Sequence, residues 1–240
     1  MIGCIIQARM GSTRLPGKVM LKIDKKNPVI HYVLEQIQHC KYLDDITVAT
    51  TNLKEDDIIA EFGKNYGINI FRGNSTDVLD RYYKCAKKLS YSKIVRITSD
   101  NPLIDPVIID KIIKKFISKK FDYVSNTIKR TFPYGTEVEI FSFNALEKAW
   151  KNSENHYERE HVTPYIYDKN NKFKISNFSF HTNLSHLRWT LDTKKDLKMI
   201  KTLVKKIERR PIFLEDILWI LNKEPNLMNI NQNTSIEDNF

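Results

Sequence analysis

"IIQARMGSTRLPGKVM", residues 5–20, runs from an apolar stretch into a loop carrying Arg9, Arg14 and Lys18, with glycines at Gly11 and Gly17. The apolar residues 2–6 have the length and make-up of a buried strand. The loop after it has the ingredients of a phosphate site. Gly11 lets backbone N–H groups close on a ligand, Arg14 and Lys18 supply fixed positive charge, and Pro16 holds Leu15 extended and stiffens the loop. Two well-known phosphate loops fail on spacing. A Walker A loop needs four residues between its glycines and a hydroxyl after its lysine; here five separate Gly11 from Gly17, and Lys18 is followed by Val19. The dinucleotide fingerprint G-x-G-x-x-G is absent as well. Three basic residues and two glycines after a first strand favour a polyphosphate site over a plain surface turn.

Strand and helix patterns alternate from there. Strands are expected at 2–6, 46–49, 68–71 and 93–97, and helices at 28–40, 55–66, 77–89 and 106–118, with Pro28 opening the first and Gly67 closing the second. This order predicts a parallel sheet covered on both faces, with ligands at the carboxyl ends of its strands. Regularity weakens from Asp122. Strands are expected at 123–125 and 138–141, and helices at 143–150, 158–167, 194–207 and 211–221, with a frayed polar tail over 222–240. The expectation is one domain over 1–221, in which 122–180 form an acceptor-side and dimerisation subdomain.

A chain of 240 residues, 41% hydrophobic, suffices for one such core. No uninterrupted apolar run approaches the roughly 18 residues of a membrane span, and Met1–Ile6 does not read as a secretory leader. Cys4, Cys40 and Cys85 are scattered, as expected of reduced thiols in a cytoplasmic protein. The net charge of +10 raises the question of nucleic acid, yet much of the lysine falls in pairs on expected helices and no nucleic-acid motif is present. A solvated surface is the better reading.

"QARMGSTRLPGKVM" resembles the signature loop of the cytidylyltransferases that make CMP-sugar acids, and more closely that of the branch named after the spore coat polysaccharide biosynthesis protein SpsF. "FRGNSTDVLDRYYKCA" (71–86), "IVRITSDNPLIDP" (94–106), "REHVTPYIY" (159–167) and "LRWTLDTKKDL" (187–197) match the same branch, in order. The resemblance implies a three-layer, Rossmann-like nucleotidyltransferase fold (GT-A-like), α/β, with a mostly parallel sheet, helices on both faces and a small β-rich insertion. It also implies a homodimer that uses Mg²⁺ and CTP and acts on a small-molecule acceptor.

Carried onto this sequence, the resemblance puts Gln7, Ala8, Arg9, Gly11 and Ser12 around the nucleotide, with Arg14 and Lys18 on its β- and γ-phosphates. Asp80, Arg81, Thr98 and Ser99 would also lie near the nucleotide. Asp100 and Asp192 would hold Mg²⁺, and Arg14, Lys18 and Asp100 would be the catalytic groups. Some of these have a plainer alternative: Asp80–Arg81 as a solvated helix couple, Asp100 as an N-cap or Asx turn before Pro102, and Asp192 as the N-cap of the helix that begins near Thr193, a role compatible with holding the metal as well. Two aspartates, each following an expected strand, are what a shared cation needs. Tyr134, Glu137, Glu139, Arg159 and His161 are the acceptor-binding candidates. Glu137 stands where the branch usually has aspartate, and Glu137 and Glu139 are equally readable as outward residues of an edge strand. Arg159 has an alternative as a helix-surface ion pair with Glu160, and His161 as a packed histidine.

The expected reaction is transfer of CMP from CTP to a sugar, sugar acid or small phosphorylated or phosphonate acceptor, releasing pyrophosphate for surface-glycan assembly. A nucleotide-sugar glycosyltransferase shares the sheet architecture but usually carries an Asp-x-Asp metal pair, which is not found here at a strand end. A basic nucleic-acid-binding module rests on net charge alone.

Overall fold

The computed structural model describes residues 1–232. Its centre is β1 (Ile2–Gln7), flanked by the parallel strands β2 (Asp45–Thr51) and β4 (Lys93–Thr98). β3 (Asn69–Gly73) extends the parallel half beyond β2. On the other side β6 (Glu139–Ser142) runs antiparallel to β4, followed by β5 (Tyr123–Ser125) and β7 (Ile175–Asn177). The seven-stranded order is β3-β2-β1-β4-β6-β5-β7.

The central strands are mostly apolar because both faces of the sheet are covered. Alternation then sorts their side chains into two layers. Cys4, Ile6, Val95, Ile97, Val124 and Ile140 face one core with α1 (Val29–Ile37), α4 (Pro106–Ser118), α8 (Lys194–Lys206) and α9 (Leu214–Lys223). Ile5, Ala49, Ile94, Tyr123 and Phe141 face the other, with α3 (Val78–Lys88) and α5 (Phe143–Asn152). α2 (Asp57–Tyr66) packs Ile59 into the first layer and ends on Gly67. Each fully buried aliphatic side chain contributes roughly 1.5–3 kcal/mol, so the two layers fix the sheet that carries the site. This is the three-layer α/β fold expected, and its β-rich insertion amounts to β5, β6 and β7 completing the same sheet.

Several boundaries differ from expectation. The helix expected over 158–167 is two short ones, α6 (His156–His161) and α7 (Pro164–Tyr167). Val162 between them has φ 73°, and Pro164 has no N–H to continue a helix. Pro28 occupies the extended cap position before α1 rather than its first turn. No strand precedes Asp192; an isolated bridge between Tyr134 and Arg188 holds that segment instead. The polar tail expected from residue 222 starts later, since α9 reaches Lys223 and a 3₁₀ helix spans Pro225–Ile230. Leu227, Met228 and Ile230 pack on the core, and Asn231 is buried. The rest of that tail, 233–240, lies outside the described residues.

Candidate active site

At the carboxyl ends of β1 and β4 the chain encloses a cleft of about 550 Å³. The signature loop forms one wall. It doubles back on itself through Gly17 N–H to Met10 O at 2.9 Å and Ser12 N–H to Met10 O at 2.8 Å. Gly17, at φ 67°, makes the reversal in the left-handed region that favours glycine and opens the short 3₁₀ turn that presents Lys18. A fully buried carboxylate anchors the loop from below: Met10 N–H donates to Asp56 Oδ1 at 2.6 Å, and the Thr51 hydroxyl donates to its other oxygen.

The opposite wall is set by backbone pairing. Leu191 N–H donates to Asp100 O at 2.9 Å, which brings the turn after β4 against the segment before α8. Asp100 and Asp192 thereby converge. The Lys18 ammonium donates to Asp100 Oδ2 at 2.7 Å and to Asp192 Oδ1 at 2.9 Å. Arg14 Nη2 reaches Asp192 Oδ1 at 2.9 Å and Arg188 Nη2 reaches Asp192 Oδ2 at 2.7 Å. Burial acts to lower the Lys18 pKa, but the two carboxylates outweigh it and the net direction is up. Burial likewise acts to raise Asp100, and Lys18 turns the net direction downward. The helix after Asp192 is capped by its neighbour: Thr193 and Asp196 form a reciprocal capping box. The capping alternative for Asp192 is therefore corrected, and its carboxylate faces the cleft.

Two oxygen-bearing carboxylates that share one cationic partner form a donor set that suits a hard divalent cation. Groups of three or more His, Cys, Asp or Glu around one point are absent among the described residues, so phosphate oxygens and water would have to complete the coordination.

Of the nucleotide-side candidates, Gln7, Ala8, Arg9, Ser12, Arg14, Lys18, Arg81, Thr98 and Ser99 line the cleft together with Asp100 and Asp192. Gly11 shapes the loop without lining it. Asp80 points away, accepting from Trp150 Nε1 at 3.0 Å and pairing with Lys84 at 2.9 Å. Arg81 is 1% exposed and donates from Nη1 to Asn74 O at 2.9 Å, while its Nε is buried without a hydrogen-bond partner.

Of the acceptor candidates, Tyr134, Glu137 and His161 line the cleft. Glu137 is held by Arg130 at 2.6 Å, Asn101 Nδ2 at 2.9 Å and Gly135 N–H at 2.9 Å. Glu139 does not reach it. Lying on β6, Glu139 pairs with the buried Arg96 and accepts from Tyr123 and Thr163, each at 2.6 Å. Arg159 is also turned aside, onto Asp77 and Trp150 O, and Glu160 instead pairs with Arg9 at 3.5 Å. The expected Arg159–Glu160 couple is thus replaced by two separate pairs. Burial pushes the His161 imidazole below its ordinary value, which favours its neutral form.

Sequence reasoning missed Asp56, Arg96, Asn101, Arg188 and Thr190. Arg96 carried a readable signal: a charge inside the apolar strand "KIVRIT" requires a buried partner, here Glu139 of the adjacent strand.

The fold and cleft are those of a nucleotidyltransferase: a mostly parallel α/β sheet, a basic glycine-bearing loop after its first strand and paired carboxylates opposite. The family model for cytidylyltransferases matches residues 3–226, and the chain belongs to that family. It is 44% identical over 231 residues to the uncharacterized protein MJ1063 of Methanocaldococcus jannaschii, covering 95% of this chain and 93% of that one. It is 33% identical to the spore coat polysaccharide biosynthesis protein SpsF of Bacillus subtilis, over 92% of this chain and 94% of that one. The solved structure of a cytidylyltransferase from Leptospira borgpetersenii superposes with a TM-score of 0.91 at 34% identity, covering 98% of both chains. These likenesses support an SpsF-type cytidylyltransferase.

Proposed function

We propose that this enzyme transfers CMP from CTP to a sugar, sugar acid or small phosphorylated or phosphonate acceptor, in a Mg²⁺-dependent step that releases pyrophosphate and feeds surface-polysaccharide synthesis. The observation that carries the reading is the convergence of Asp100 and Asp192 on one cation beside the loop of Arg14 and Lys18. The acceptor oxygen attacks the α-phosphorus in line, and the bond to pyrophosphate breaks on the far side. Arg14 and Lys18 neutralise the departing pyrophosphate, the loop backbone orients the triphosphate, and Arg81 adds buried positive charge on the nucleotide side. His161, in its neutral form, takes the proton when the acceptor is a hydroxyl. Asp100 and Asp192 would hold Mg²⁺, which would supply charge neutralisation at the phosphates. The name of the SpsF relative supports the polysaccharide assignment.

The test is pyrophosphate release with each of the four nucleoside triphosphates against acidic sugars, sugar phosphates and phosphonates. CTP with one acceptor class should exceed the other nucleotides by at least about 10²-fold, well within the roughly 10⁴–10⁵-fold that a site hydrogen-bonding its substrate can reach. Equal rates with all four would overturn the assignment.

A further inference from the structure

Three acceptors surround the Lys18 ammonium: Asp100 Oδ2 at 2.7 Å, Asp192 Oδ1 at 2.9 Å and Leu191 O at 2.9 Å. That uses all three of its N–H donors. Two of the acceptors are the carboxylates assigned to the divalent cation under the proposed function, and the inference rests on that reading. Mg²⁺ takes oxygens at about 2.0–2.1 Å, in near-octahedral geometry. A metal ion drawn to these carboxylates competes with the ammonium for Asp100 Oδ2 and Asp192 Oδ1.

Asp192 is committed further, since Oδ1 also accepts from Arg14 and Oδ2 from Arg188. Arg188 is in turn fixed by Asp196 at 3.1 Å, within the cap of α8. Arg14, with its side chain 41% exposed, comes from the open loop, whereas the Lys18 side chain is 13% exposed and sits between the two aspartates.

We infer that Lys18 is the resident cation of the free enzyme. Its ammonium neutralises Asp100 and Asp192 and keeps a divalent ion out until the phosphates of a nucleotide draw it away. Lys18 then has two successive partners, the carboxylates before binding and the phosphates after, and the vacated oxygens take the ion that arrives with the nucleotide. The free enzyme consequently binds metal alone weakly, and metal and nucleotide enter as one complex.

The test uses Mn²⁺ alone, titrated into the full chain without nucleotide, with free ion followed by electron paramagnetic resonance. Lys18→Met should bind Mn²⁺ at least about tenfold more tightly than the wild type, because a positive charge within contact of the ligands is removed. Lys18→Arg, which keeps the charge, should stay near the wild type, and adding Asp100→Asn to Lys18→Met should abolish the gain. Mn²⁺ should also raise the melting temperature of Lys18→Met more than that of the wild type. If Lys18→Met needs the ion in order to fold, refolding with and without Mn²⁺ reads the same preference. Lys18→Met binding no tighter than wild type, or a gain that survives Asp100→Asn, overturns the inference. If CTP turnover still requires Mg²⁺ and falls in Asp100→Asn, the metal reading stands and the role of Lys18 alone fails. If Asp100→Asn turns over normally, both fail.

Discussion

Glu137 and Glu139 stand two positions apart in "GTEVEIF" and look interchangeable in sequence, but the structure gives them different partners. Glu139 is buried on β6 and compensates Arg96 across the strand pair, whereas Glu137 steadies Arg130, Asn101 and the Gly135 turn at the cleft. Removing one member of a buried pair leaves an uncompensated charge, so Glu139→Gln should cost about 3 kcal/mol or more in urea unfolding. Glu160→Gln breaks an exposed pair with Arg9 and should cost less than about 1 kcal/mol. Similar losses for both would mean that Arg96 does not depend on Glu139. At this scale the loop was legible from its basic residues and glycines after a first strand, whereas Asp100 and Asp192 were flagged by family resemblance. Family resemblance could flag Asp80 and Arg159, but a motif does not say which way a side chain points, and both turn onto structural partners.

Among the elements, the turn at Gly135 sets Tyr134 and Glu137 at the edge of the cleft. Its φ is 104°, and a Cβ there would stand 2.7 Å from Thr190 N and 2.8 Å from the Trp189 carbonyl carbon. Those are backbone atoms of the segment that leads to Asp192, and Tyr134 N–H and O pair with that segment at 2.9 and 2.8 Å. Gly135→Ala should therefore destabilise by more than about 1 kcal/mol and lower turnover, through both strain and displacement of this segment. Unchanged melting and unchanged pyrophosphate release would show that the turn relaxes freely. The regular elements were legible where apolar periodicity ran for a full strand or helix, as in β1, β4 and α4. β7 is three residues long, too short for a period to register. The break between α6 and α7 was signalled by Pro164, a stop mark outweighed by the apolar pattern around it.

Across the whole molecule, the site draws on residues distant in sequence, from Gln7 in β1 to Asp192 before α8, and its support extends to residue 231. Asn231 Nδ2 donates to Asp196 Oδ1 at 2.9 Å and to Arg188 O at 3.2 Å, bracing the pair that fixes Asp192. Asn231→Ala should cost about 1–3 kcal/mol, since it leaves buried acceptors short of a donor, and should weaken turnover along with stability. A variant that melts lower but keeps full turnover would separate the brace from the site. The parallel half, β3-β2-β1-β4, follows from the alternation of strands and helices, because crossovers of one hand admit few arrangements. The order β6-β5-β7 arises from tertiary pairing of short strands and left no local mark.

Asn231 also sets a schedule. A ribosome makes the chain from Met1 onward, so the basic loop and Asp100 emerge early, Asp192 later, and the residue that clasps Arg188 and Asp196 last of the set. A nascent chain can therefore form its sheet and expose the basic loop well before the carboxylate side is braced. The clasp on Arg188 and Asp196 can close only after residue 231 has cleared the exit tunnel.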